Sequence, residues 1–254
     1  MFNRYVGIDY SGRLAPVSRI AELQVFSATP TSDPEPILVP NAGAQHWCRK
    51  DLAAWCIREL MRDSRSFFAI DHGFSFPAAY MRRHELTSWK QFLEHLHALW
   101  PTDRDHMYVD FVRKRNPPGG APHELRLCEQ WTENAGSVFD FVHPGAFAYS
   151  THAGIVWLHQ LRQHPGLLDR VHFWPFDGFD VPMHKSVIAE TSPSLFHRRF
   201  EGGDRGRDEH DAYSVAMWLK QVDGRGSLEQ YLNPPLTPPE RQIAEIEGWI
   251  IGVY

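Results

Sequence analysis

Arg4-Tyr-Val-Gly-Ile-Asp-Tyr-Ser-Gly12 is the stretch whose reading decides the fold. Tyr5, Val6 and Ile8 form a short β-favouring run that serine and glycine end at once. Asp9 therefore falls where a buried strand stops and the chain opens into a turn. A carboxylate there is costly to bury unless it meets a cation or several donors. In α/β sheets that position, at the carboxyl ends of the strands, faces the ligand crevice. Aspartate near glycine is also ordinary turn chemistry.

Working outward, the same design recurs. Ser18–Ala28 alternates apolar and polar residues and reads as a second strand. The Gly12–Pro16 connection is too short for a crossover helix, so the two strands are expected to be antiparallel neighbours. Thr29–Pro40, with four prolines, reads as a loop or irregular edge, and Ala44–Asp63 as a helix. Ser66-Phe-Phe-Ala-Ile-Asp-His-Gly73 repeats the opening, placing Asp71 where Asp9 stands. If those strands are parallel neighbours joined through the helix, both carboxylates meet at one sheet edge. Val171–Asp177 and Ser186–Glu190 read as further strands, the latter ending on a third acid. The expected architecture is a mixed five-stranded α/β sheet in a single domain, with a core at 1–77 and 171–254. A helical insertion fills 78–170, with helical patterns at Ser88–Leu99 and Phe147–Gln163.

Asp208-Glu-His-Asp-Ala-Tyr-Ser-Val-Ala-Met-Trp-Leu219 reads as an amphipathic helix. Asp208 and Asp211, three residues apart, share one of its faces. Acids in a first helical turn also suit the helix dipole. His197, Arg198 and Arg199 follow Glu190 closely, and Arg205 and Arg207 sit in a glycine-rich stretch before the helix. They are candidates to hold a polyanionic substrate, since the planar arginine fork matches phosphate oxygens. The other reading is that they pair with Glu201, Asp204 and Glu209. Arg113-Lys-Arg115 reads as a solvated face.

The chain has 254 residues and a net charge of −5, which argues against coating nucleic acid non-specifically. Fifteen histidines show no His-x-x-x-His or Cys-x-x-Cys zinc spacing. Three cysteines without a framework suggest reduced thiols, and no leader or apolar span of about 20 residues is evident. A cytoplasmic protein without membrane association is expected.

Gly7-Ile-Asp9, Ala69-Ile-Asp71…Pro77, Glu190-Thr-Ser-Pro193 and Asp208…Asp211-Ala212 together resemble the ribonuclease H-like superfamily. More closely they resemble an uncharacterised family of predicted nucleases, domain of unknown function four-two-nine, related to the Holliday-junction resolvase branch. Arg126-x-Cys-Glu129 sits where that family tends to carry an Arg-x-Thr-Glu-like stretch, with Cys128 replacing the threonine. His72 and Gly73 depart from the family's Asp-x-Pro pattern. The resemblance implies a hydrolase of phosphodiester bonds with Asp9, Asp71, Glu190, Asp208 and Asp211 as its catalytic and metal-binding acids. Glu129 is a weaker addition. Carboxylates suit Mg²⁺ or Mn²⁺, and two such ions both activate water and relieve charge on the leaving oxygen. The implied partner is a nucleic acid or nucleotide. A catalytically silent binding or scaffold protein of the same fold, and less readily an actin-like ATPase, remain alternatives.

Overall fold

The computed structural model describes residues 1–40, 43–132, 135–142 and 146–254. Its centre is a mixed six-stranded sheet in the order β3-β2-β1-β4-β6-β5. The strands are β1 (Arg4–Asp9), β2 (Gln24–Thr29), β3 (Ser32–Pro36), β4 (Ser66–Ile70), β5 (Val171–Trp174) and β6 (Ser186–Glu190). β2 runs antiparallel to β1, as the short connection requires, and β1, β4, β6 and β5 are mutually parallel.

The sixth strand corrects the expected five. β3 reads Ser-Asp-Pro-Glu-Pro and pairs only with β2, through an irregular register. Pro34 and Pro36 are tolerated there because an edge strand has one ladder it does not need to fill. The second strand is also shorter than its alternation suggested. Only Gln24–Thr29 extends along β1, while Ile20 bridges to Trp47 instead.

Helices cover both faces because alternate residues of the strands are apolar on both. Val6, Ile8, Phe68, Ile70 and Ile188 face one layer. It is built from α1 (Arg49–Leu60), α3 (Trp89–Leu99) and α6 (Phe147–Gln163), with the short α2 (Ala78–Arg83) and α4 (Val109–Arg113) beside them, while the short α5 (Leu127–Gln130) packs into the core of the opposite face. Tyr5, Phe67, Ala69, Val187 and Ala189 face the other, formed by α7 (Arg207–Gly224), α8 (Leu228–Leu232) and α9 (Pro238–Glu247). α1 starts at Arg49, with the Cys48 sulfur accepting from the Asp51 N–H, so it is shorter at both ends than its apolar pattern. The three cysteines are free and buried. Residues 133–134 and 143–145 of the stretch read as an insertion lie outside the described ones. Among the described residues no helix is long and apolar enough to cross a membrane.

Two glycines set the distance between sheet and helices at the end where β1 and β4 stop. A Cβ at Gly7 would lie 2.2 Å from the Ala212 carbonyl oxygen of α7. One at Gly12 would lie 1.9 Å from the Tyr149 carbonyl oxygen of α6. Only glycine lets both helices touch the first strand and its turn. Val215, Trp218 and Leu219 then hold α7 on the sheet. Each such side chain contributes about 1.5–3 kcal/mol by leaving water.

Candidate active site

β1 and β4 run parallel with Ile8 opposite Ile70, so the next residues, Asp9 and Asp71, stand side by side. The Asp71 N–H donates to the Ile8 carbonyl at 2.9 Å, continuing the ladder one step beyond the strand. From the opposite layer α7 brings in Asp208 and Asp211, and it can do so because Gly7 admits its backbone. The four aspartates line one cavity of about 290 Å³ with Ser11, Tyr149 and others. Glu209 accepts from the Gly206 N–H at 2.8 Å and caps α7, so the cavity sits at a helix N-terminus.

The electrostatics follow from this crowding. Burial, then the charges of Asp71, Asp208 and Asp211, hold the Asp9 carboxyl well above the usual carboxylate range, helped by its hydrogen bond to Asp71. Burial and the charges of Asp211 and Glu190 push Asp71 up to about 7, although the hydrogen bond with Asp9 and the charge of Arg207 oppose this. Asp208 is raised by burial and by Glu22. An imidazole and a guanidinium reach Asp211. His197 Nδ1 lies 3.1 Å from Oδ1, and Arg207 Nε lies 3.9 Å from Oδ2 with its side chain 89% exposed.

Glu190 is placed differently from its sequence expectation. It ends β6 beside Asp71's strand, as expected, but both of its oxygens are taken. Arg126 Nη1 and Nη2 donate to them at 2.7 and 2.5 Å, and the Phe74 N–H adds a third bond at 2.9 Å. Glu129 is occupied likewise, accepting from the Arg126 backbone and Nε, both at 2.8 Å. Arg126, Glu129 and Glu190 are all buried. In this arrangement Glu190 and Glu129 surround one guanidinium, and Asp208 is the fourth aspartate of the cavity.

The basic candidates divide. His197 and Arg207 face the acids, and Arg207 lines this cavity and the next. Arg198 and Arg199 are exposed beyond them, Arg199 lying over Phe196. Arg205 stacks 3.6 Å from the Tyr213 ring centroid and donates to the Glu201 carbonyl, which turns it from the cavity. Among the described residues none of these arginines pairs with Glu201, Asp204 or Glu209 side chains. Arg113 pairs with Asp110 and covers Phe141.

Tyr149, Ser150, Ser11 and Glu22 line the cavity without any local sequence signal. Tyr149 and Ser150 arrive there because Gly12 lets the first turn of α6 meet the loop after β1. That loop is itself fixed by buried Arg49, which donates to the carbonyls of Ser11, Arg13 and Leu14 at 2.7–3.1 Å. His72, next to Asp71, is pushed down to about 4 by burial and is therefore a neutral ring at pH 7.

Hard, oxygen-only donors crowded without enough positive charge suit a divalent cation such as Mg²⁺ or Mn²⁺. The fit is one of charge and donor type. Among the described residues no three His, Cys, Asp or Glu side chains stand close enough to form a finished cage, so the metal set implied by the resemblance, Asp9, Asp71, Glu190, Asp208 and Asp211, is not found assembled. No family model matches the chain, and no curated protein or solved structure matches it.

Proposed function

We propose that the protein is a phosphodiester hydrolase that works with Mg²⁺ or Mn²⁺ held by Asp9, Asp71 and Asp211, with Asp208 completing the set. The observation that carries this is the convergence of four aspartates from two strands and a helix, with Asp9 and Asp71 held above their ordinary range. A structural role gives no reason to gather four acids against one histidine and one exposed arginine, because mutual repulsion costs stability. The ribonuclease H-like reading belongs to the same proposal. Its support is the antiparallel β1–β2 hairpin, the parallel return through β4 and the acid-bearing α7 across the first strand.

Bound cations would supply Lewis-acid relief of charge on the phosphate and a water of lowered pKa. The chain's own part begins with the proton shared between Asp9 and Asp71, which must leave before both can act as ligands. Arg207 and His197 then face the incoming phosphate from the open side, offsetting repulsion by the acids. Asp208, half-buried, lines the same cavity.

Calorimetric titration with Mn²⁺, on wild type and Asp9→Asn, tests the reading together with Mn²⁺-dependent oligonucleotide cleavage. Saturable binding and cleavage, both lost in the variant, are expected. Equal weak binding by both proteins would leave a binding module without this chemistry.

A further inference from the structure

The aspartate cavity is one lobe of a longer groove. It shares Asp71, Phe147, Arg207 and Asp211 with a second cavity of about 380 Å³. The second shares Thr132, Ser194 and His197 with a third of about 530 Å³. Together they exceed the roughly 300–1,000 Å³ of a small-molecule site. The middle lobe carries the hydroxyls of Thr132, Thr191, Ser192 and Ser194 between the acids Asp71, Glu129 and Asp211, and the Thr191 Oγ1 there is buried with no hydrogen-bond partner among the described residues.

The far lobe carries two exposed aromatic rings, Trp131 at 41% and Tyr254 at 65%. Each is backed by another ring. Trp131 sits edge-on to buried Trp249 at 5.5 Å, and Tyr254 meets Tyr231 at 5.9 Å. Both rings therefore pack against a neighbouring ring while part of their surface stays exposed. Arg198 is exposed in the same lobe, and His197 stands between it and Asp211.

We propose that this groove binds a single-stranded polynucleotide, its bases stacking on Trp131 and Tyr254 and its backbone passing Arg198 and His197 toward the aspartates. This rests on the phosphodiesterase reading and gives its substrate class. Exposed aromatic rings with an adjacent arginine are the elements of sequence-tolerant single-strand binding. A duplex keeps its base faces stacked internally and is held mainly through many phosphate contacts from Lys and Arg. With a net charge of −5 and few basic side chains along the groove, the chain is poorly equipped for that. A mononucleotide would fill one lobe and leave the aromatic pair unused.

Fluorescence anisotropy in EDTA, where no cleavage occurs, tests this with labelled oligodeoxythymidylate, a hairpin duplex and dTMP as competitor. Single strands are expected to bind more tightly than the duplex. Trp131→Ala and Tyr254→Ala should each weaken that binding by about 5- to 100-fold. Arg198→Ala should lower the salt slope by about one. Mn²⁺ affinity should be unchanged in all three. Because Trp131 packs on Trp249, Tyr254→Ala keeps the test valid if the first variant loses its fold. Equal affinity for single strand and duplex, or unaltered binding by Tyr254→Ala, overturns the proposal. So does Mn²⁺ binding at the aspartates with no oligonucleotide bound, which spares the hydrolase reading. Conversely, ring-dependent single-strand binding with Mn²⁺ affinity unaffected by Asp9→Asn supports the groove and sinks the hydrolase reading.

Discussion

Asp71 donates its backbone N–H to the carbonyl of Ile8, and that bond fixes its carboxyl beside the carboxyl of Asp9. The two acids are paired by the ladder itself rather than by a flexible loop. Their closeness carries a cost that depends on pH.

A raised carboxyl pKa means that the folded protein keeps a proton the unfolded chain has released. For Asp71 the window runs from its ordinary value of 3.8 to about 7. The folded state binds more protons throughout it, so stability is greatest below the window and falls as pH rises through it. Without metal, the melting temperature should therefore drop between pH 5 and pH 8, and Asp71→Asn should flatten that drop. Saturating Mn²⁺ should restore stability at pH 8. A melting temperature independent of pH in metal-free wild type would contradict this charge balance.

Asp9→Asn and Asp211→Asn each remove one proposed cation ligand and relieve repulsion on their neighbours. Each is expected to lower Mn²⁺-dependent cleavage by at least about 100-fold, equivalent to roughly 2.7 kcal/mol. At the same time each should leave the metal-free protein as stable as wild type or more so. Cleavage rates and thermal melts on the same preparations check both halves.

Glu190 separates from the aspartates in the opposite sense. Its carboxylate has three donors, and Arg126 would be left buried and partly unpaired without it. Removing one partner of a buried pair costs about 3–5 kcal/mol, on the order of 10 °C for a chain of this size. Arg126→Met and Glu190→Ala should both show losses of that order in thermal melts. A Glu190→Ala protein that melts like wild type but no longer binds Mn²⁺ would return Glu190 to the metal site.

Gly7→Ala is the mildest change that should disturb the site from a distance. Its new methyl meets the backbone of α7, which cannot yield as a side chain could. Overpacking of this kind costs about 1–3 kcal/mol. The helix can relieve it only by moving away from β1, taking Asp208 and Asp211 with it. Reduced Mn²⁺ affinity alongside reduced stability, measured by calorimetry and chemical denaturation, is the expected outcome.

The parts of the site written into local pattern were legible in the sequence. Asp9 and Asp71 each follow an apolar strand and precede a turn, and a short connection forced β2 to run antiparallel. Asp208 and Asp211 share a helix face at their spacing. Glu190 matched the same strand-end pattern, yet Arg126, 64 residues away in sequence, neutralises it. No local periodicity says which distant cation will reach a carboxylate. β3 escaped for a related reason: Pro34 and Pro36 argue against a central strand but say nothing against an edge. Arg205 looked like its neighbours and was diverted by Tyr213, a contact across the first turns of α7.

Seating α7 against Gly7 also makes the acid site a late product of chain closure. Asp9 and Asp71 come from strands in the first third of the sequence, whereas Asp208 and Asp211 lie on a helix near its other end. A chain still emerging from the ribosome carries the strand acids long before it can bring the helix to them. Any nucleolytic capacity of this arrangement would therefore be withheld until the last layer has docked, so that a half-made molecule is inert toward the nucleic acid around it.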